Sequence, residues 1–169
     1  MKHLVIMGVS GSGKSTLAAE LQRQLGWPFA EADEFHPQAN IDKMSRGEAL
    51  TDRDRWPWLE ALRDWMSRQD RAGQPSLVTC SALKRSYRDL LRGAEGEVVF
   101  ALLHGDRDLL SQRLQRRKGH FMPPSLLDSQ LSTLELPAPD EAGVLTLDIT
   151  RTPAELTRQL LTLLQQGDN

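Results

Sequence analysis

Short apolar runs alternating with amphipathic stretches predict an α/β chain, a parallel sheet with helices on both faces. Three observations carry that expectation. Five runs of strand length, His3–Met7, Pro28–Ala32, Ser76–Cys80, Val98–Leu103 and Val144–Ile149, are rich in Val, Leu and Ile, as strands covered on both faces are. Between them, leucines recur at helical spacing. The first run leads at once into a glycine-rich turn that opens a helix.

The elements follow in order. Leu17, Leu21 and Leu25 place an apolar stripe on a helix after the first strand. After the second strand, Phe35–Asp54 is polar and reads as one short helix plus a loop. A helix over Asp54–Arg71 puts Trp58, Leu62, Trp65 and Met66 on one side and keeps Pro57 in its first turn, where the missing N–H costs nothing. Trp56, Trp58 and Trp65 are read as packing residues. Leu109, Leu110 and Leu114 mark a helix after the fourth strand, and Leu156, Leu160 and Leu164 mark the last one. Gly119–Pro139 holds four prolines around another short helix. Insertions of this length in a compact sheet are typically binding loops or lids, with surface decoration as the alternative.

The 169 residues make one domain, 1–169, with a substrate-binding insertion at 35–54 and a lid at 118–139. At this length one core buries roughly 68–70% of the unfolded chain's surface, so no metal or disulfide staple is required. The single cysteine, Cys80, excludes an internal disulfide and a Cys-rich zinc site, and reads as a buried strand residue. His3 and His104 read as structural. Twenty-one Lys and Arg against 23 Asp and Glu leave a net charge of −2, which gives no global attraction for nucleic acid. No apolar run is long enough for a membrane span or a signal-peptide core. The expectation is a cytoplasmic protein without nucleic-acid or membrane partners.

Gly8-Val9-Ser10-Gly11-Ser12-Gly13-Lys14-Ser15 matches G-x-x-x-x-G-K-[ST] in full, between a strand and a helix, with Thr16 next to it. Glycines let the loop curl so that successive N–H groups point inward, and the helix N-terminus adds positive charge at the same point. Lys14 would reach the β- and γ-phosphates, and Ser15 would ligate Mg²⁺. A glycine-rich turn without a ligand is the alternative. There is no Asn-Lys-x-Asp element: of two asparagines, Asn40 is followed by Ile41. Nor is there a Leu-Ser-Gly-Gly signature, and the chain is too short for a helicase core. A small kinase acting on a metabolite or nucleotide remains.

The third strand ends in Cys80-Ser81, so the usual aspartate for the metal is missing there. Glu31 and Asp33, two apart at the end of strand two, share a face of an extended chain beside the phosphate loop. Glu31 is the candidate for orienting Mg²⁺-bound water, and Asp33 the candidate base for a substrate hydroxyl. Both could also be exposed loop carboxylates. Arg113 and Arg117, four apart, share a helical face before the proline-rich insertion. Arg113 is set to the adenine or phosphate side and Arg117 to the transferred phosphate, delivered as Lys118–Pro139 closes and excludes water. A solvated basic helix face is the alternative.

Several blocks together resemble a known family. They are Gly8–Ser15, Asp33-Glu34-Phe35-His36-Pro37, Asn40-Ile41-x-Lys43-Met44, Gly47, Leu50, Asp52-Arg53-Asp54-Arg55 and Pro57-Trp58-Leu59. They continue through Cys80-Ser81-Ala82-Leu83-Lys84, Tyr87-Arg88-Asp89, Arg117-Lys118-Gly119-His120-Phe121 and Leu134-Glu135-x-Pro137. Across almost its whole length the chain is similar to the small P-loop gluconate kinases. It departs from them at Glu31, Ala49 and Leu131, where Asp, Pro and an aromatic are usual.

The resemblance implies a three-layer P-loop kinase fold related to shikimate and adenylate kinases, with a five-stranded parallel sheet and a mobile lid. It further implies ATP-dependent phosphorylation of D-gluconate on its terminal hydroxyl, and a homodimer. The loop Thr150–Pro153 resembles the adenine seat of shikimate-type kinases, with Pro153 on one side of the base and Arg113 on the other; Pro153 is equally a helix-start residue. Gluconate, a polyhydroxy monoanion, needs a cation and several hydrogen-bonding groups. The candidates are His36, Lys43, Arg53, Lys84 and Arg88, with Lys84 and Arg53 preferred for the carboxylate and His36 equally a helix-start hydrogen bonder. Another small-metabolite kinase of the shikimate type, or a non-catalytic ATP-binding regulatory module, shares much of this pattern.

Overall fold

A computed structural model describes residues 1–116 and 124–166. In chain order its elements are β1 (Lys2–Met7), α1 (Lys14–Leu25), β2 (Phe29–Glu31), a 3₁₀ turn (Ala32–Phe35), α2 (Gln38–Ser45) and α3 (Asp52–Arg71). They continue with β3 (Ser76–Cys80), α4 (Arg85–Arg92), β4 (Glu97–His104), α5 (Arg107–Arg116), α6 (Pro124–Thr133), β5 (Val144–Asp148) and α7 (Pro153–Gln166). The strands form one parallel sheet in the order β2-β3-β1-β4-β5. The predicted α/β sandwich is the fold observed.

The two-residue period of β1 builds both layers. Leu4 and Ile6 enter a core shared with Leu17 and Leu21 of α1, Leu110 of α5, and Leu156 and Leu160 of α7. Val5 and Met7 face the other way, into a core shared with Trp58, Leu62 and Met66 of α3 and Tyr87 and Leu91 of α4. All four β1 side chains are fully buried, which is why this strand reads as an uninterrupted apolar run. The register pairs Met7 with both Cys80 and Leu102, and Glu31 with Thr79. The loops after β1, β2 and β3 therefore open at one carboxyl edge, where open α/β sheets bind ligands.

Three elements differ from expectation. β2 stops at Glu31, because Ala32 already begins the 3₁₀ turn. Asp33 accordingly stands on that turn and not on an extended strand. The long helix α3 begins at Asp52, two residues early, because Thr51 closes a reciprocal cap: its hydroxyl accepts from Asp54 N–H at 3.2 Å while Asp54 accepts from Thr51 N–H at 2.9 Å. Pro57 then lies beyond the first turn and withdraws the donor the Arg53 carbonyl would otherwise receive. α4 was not anticipated at all. No described helix is long and apolar enough to cross a membrane.

Candidate active site

The phosphate loop takes its shape from glycine. Gly8 has φ 152°, and a Cβ there would stand 2.8 Å from the Leu103 carbonyl oxygen; Gly11 has φ 81°, with Leu114 2.7 Å from a would-be Cβ. Val9 turns its side chain into the core and its carbonyl accepts from Ser12 N–H at 3.3 Å. Gly13, with φ 100°, caps α1 without a side-chain hydrogen bond, and the first turn of α1 carries no acidic residue. The positive end of this twelve-residue helix is thus directed at the loop. Lys14 Nζ lies over the loop, donating to the carbonyls of Gly8 at 2.8 Å and Val9 at 3.2 Å. Ser12 Oγ is buried beneath, with no hydrogen-bond partner among the described residues.

Two cavities flank the loop. On one side Gly11, Ser12, Gly13 and Thr16 face Arg113, Ile149, Arg151 and Pro153. Arg113 Nη2 donates to the Ile149 carbonyl at 2.6 Å, which fixes its guanidinium next to the start of α7, and Pro153 is the first residue of that helix. On the other side Ser10, Lys14 and Ser15 meet Glu31, Asp33 and Thr79. Ser15 Oγ donates to Glu31 Oε1 at 3.3 Å. The 3₁₀ turn bearing Asp33 is pinned from below by the Trp58 indole N–H, which donates to the Ala32 carbonyl at 2.6 Å. Cys80 shares this cavity, but burial pushes its thiol far up, so it stays protonated and inert.

The insertion after β2 and the segment after β3 leave the same carboxyl edge and are both tied to the start of α3. His36 stacks on Trp58 with ring centroids 4.2 Å apart and receives a 3.2 Å hydrogen bond from Asn40 Nδ2 on Nδ1, leaving Nε2 as the N–H. Burial holds its imidazole below the ordinary value, against the opposing pull of Asp33, so the ring is neutral at neutral pH. Lys43 pairs with Asp54 at 2.7 Å, holding that carboxyl at about 2. Lys84 Nζ bonds both oxygens of Asp52, at 2.9 and 3.1 Å. The Tyr87 hydroxyl also donates to Asp52, and that bond, with Lys84 second, lowers the carboxyl. Arg55 Nη1 donates to the Tyr87 oxygen at 3.0 Å.

One expected substrate cation does not hold. Arg88 is fully buried and bound edge-on to Glu141, with Nε donating at 2.6 Å and Nη2 at 2.7 Å. It is a structural tie with no free edge for a ligand. Arg53 is exposed in the first turn of α3, and no described contact joins it to Lys84. Arg55 instead shares the inward face with Trp58 and Leu59, three and four residues on. Its spacing to the apolar side of the helix made that placement legible in the sequence. Arg151, Tyr87 and Gln130 were also missed. Gln130 on α6 grips the loop itself: Ser10 N–H donates to its Oε1 at 2.7 Å, and its Nε2 donates to Ser10 Oγ at 3.1 Å. Arg117, and with it the stretch 117–123, lies outside the described residues. The part of the expected lid that is described, 124–139, is joined to the body through Gln130, an Arg107–Asp128 ion pair and a 2.7 Å bond from Glu135 N–H to the Leu83 carbonyl.

This geometry matches known proteins. A family model described as an AAA domain matches residues 4–137. The chain is 54% identical over 140 residues to the gluconokinase of Gluconobacter oxydans (strain 621H), covering 83% of this chain and 79% of that one. It is 44% identical over 163 residues to the thermoresistant gluconokinase of Escherichia coli (strain K12), covering 96% and 93%. The crystal structure of a sugar kinase from Janibacter sp. HTCC2649 superposes with a TM-score of 0.92 at 49% identity, covering 98% of this chain and 95% of that one. With a phosphate loop, two flanking cavities and relatives of this identity along nearly its full length, the chain belongs to the gluconokinase family.

Proposed function

We propose that this chain is an ATP-dependent gluconokinase, transferring the γ-phosphoryl group of ATP to the terminal hydroxyl of D-gluconate and releasing ADP and 6-phospho-D-gluconate. The observation that supports this best is the cavity in which Asp33 and Glu31 face Lys14, Ser10 and Ser15 across the carboxyl edge of the sheet. Asp33 takes the proton of the hydroxyl as its oxygen attacks phosphorus, and the bond to the β–γ bridging oxygen breaks. The loop N–H groups, the end of α1 and Lys14 hold the phosphates and the charge that spreads over the transferred group. Arg113 and Pro153 flank the adenine. Arg117 meets the transferred phosphate as the 118–139 lid closes.

The residues present suit Mg²⁺. Ser15 Oγ and Glu31 Oε1 are two hard oxygens 3.3 Å apart next to the phosphate seat. The described residues contain no cluster of three or more metal-ligating side chains, and a magnesium held largely by phosphates and water requires none. When bound, the ion neutralises phosphate charge. For gluconate, His36 presents Nε2–H, and Lys84 and Arg55 lie over the Tyr87 ring at 5.7 and 5.5 Å. These two are the cations offered to its carboxylate, Lys84 by exchanging Asp52 for it. Lys43 supports the insertion through Asp54.

A coupled assay of ADP release tests the reading with gluconate, shikimate, related sugar acids and nucleoside monophosphates as acceptors. Gluconate is expected to give the highest kcat/KM. ATP binding without transfer to any acceptor would leave a regulatory module instead, and preference for shikimate would reassign the acceptor. The homodimer and the cytoplasmic setting belong to the same reading; light scattering on a sizing column and cell fractionation test them.

A further inference from the structure

Gln130 meets the phosphate loop from 120 residues away with both ends of its carboxamide, accepting from Ser10 N–H and donating to Ser10 Oγ. Ser10 lines the cavity with Lys14, Ser15, Glu31 and Asp33; the cavity on the nucleotide side is lined by Gly11, Ser12, Gly13 and Thr16 without it. Gln130 thus acts on a loop residue that lines the acceptor-side cavity and not the nucleotide-side one, as Lys14 and Ser15 also do. We propose that Gln130 is a positioning residue for phosphoryl transfer, setting Ser10 and the loop backbone at the seat of the transferred group.

Its carrier helix makes this possible. α6 is seated by Leu127, which is 1% exposed in the core that holds Val9, Leu110 and Leu114, and by the Arg107–Asp128 pair. Beyond α6, Glu135 N–H donates to the Leu83 carbonyl at 2.7 Å and its Oε1 accepts from Arg85 N–H at 2.8 Å. One segment therefore grips the donor loop at Ser10 and the acceptor wall next to Lys84. Gln130 holds the first of these contacts, and the others keep α6 docked when it is removed. With Ser10 released, the transferred group loses its registration against Asp33 and water gains access to it.

The inference rests on the gluconokinase reading. Q130M keeps the length of the side chain and removes both hydrogen bonds. It is to be compared with wild type, S10A and the double variant Q130M/S10A for gluconate-dependent kcat, KM for ATP, and ADP released per phosphogluconate formed. Q130M is expected to lower kcat about tenfold, leave KM for ATP within about threefold, and raise the ADP-to-product ratio above one. Because Gln130 acts through Ser10, the double variant is expected to lie within about twofold of Q130M. A wild type that cannot phosphorylate gluconate removes the functional reading and this inference with it. An active wild type overturns the inference alone in any of three cases. These are a Q130M kcat within twofold of wild type at a ratio of one, a loss accounted for by the folded fraction, or losses that multiply in the double variant.

Discussion

Asp33 stands on a turn whose first carbonyl is held by Trp58, with Lys14 and Ser15 across the cavity from it. If it accepts the acceptor proton, D33N leaves shape and hydrogen bonding nearly intact and removes only the basicity. We expect kcat to fall by about 10²–10⁴, with ATP affinity unchanged in a nucleotide titration, since the nucleotide-side cavity does not include this residue. Near-normal turnover would take the base away from position 33. The phosphate loop was legible in the sequence because its parts are contiguous and backbone geometry alone dictates them. The substrate cations were not. Arg55 stands three residues before Trp58 on the inward face, yet an arginine adds nothing to the apolar pattern that marks that face; Arg88 carries a full charge yet lies in the core, and the partner that permits this is 53 residues away.

At the level of elements, the start of α3 ties down both the insertion after β2 and the segment after β3. Thr51 and Asp54 cap the helix reciprocally, and Asp54 also holds Lys43, so one cap joins the insertion to the long helix. T51A is expected to cost about 0.5–2 kcal/mol in urea denaturation and to raise KM for gluconate more than KM for ATP. Equal effects on the two constants would show that the cap serves stability alone. The strands and the long helices were readable because each has an apolar period that nothing interrupts. α4 escaped because it has only eight residues, of which Arg85, Arg88 and Arg92 are arginines, so its buried side is Tyr87, Arg88 and Leu91 and not a run of leucines. The expected start of α3 at Asp54 failed for a related reason: the cap residues are polar and carry no hydrophobic signal.

Across the whole molecule, one buried ion pair fastens the chain after α6 to the layer formed by α4. Glu141 has a side chain only 1% exposed and accepts from Arg88 at 2.6 and 2.7 Å and from Arg92 at 2.7 Å. The Arg88 guanidinium, ahead of the opposing effect of burial, holds its carboxyl at about 2, below an ordinary value of 4.5. A carboxyl depressed on folding contributes stability that is complete above its unfolded value and is lost as pH falls towards the folded one. Stability measured in urea is therefore expected to decline between about pH 4.5 and 2 with a component that E141Q abolishes. At neutral pH, E141L strands a buried guanidinium and should cost about 3–5 kcal/mol, whereas R88M/E141L, which removes both charges, should recover most of that loss. A pair that mattered only through Coulomb attraction at the surface would show the reverse: a small loss for E141L and no recovery in the double variant. E141L should also lower kcat through the lost stability, and R88M/E141L, which recovers stability without the tie, should recover kcat with it, a link that a coupled assay of both variants reads directly.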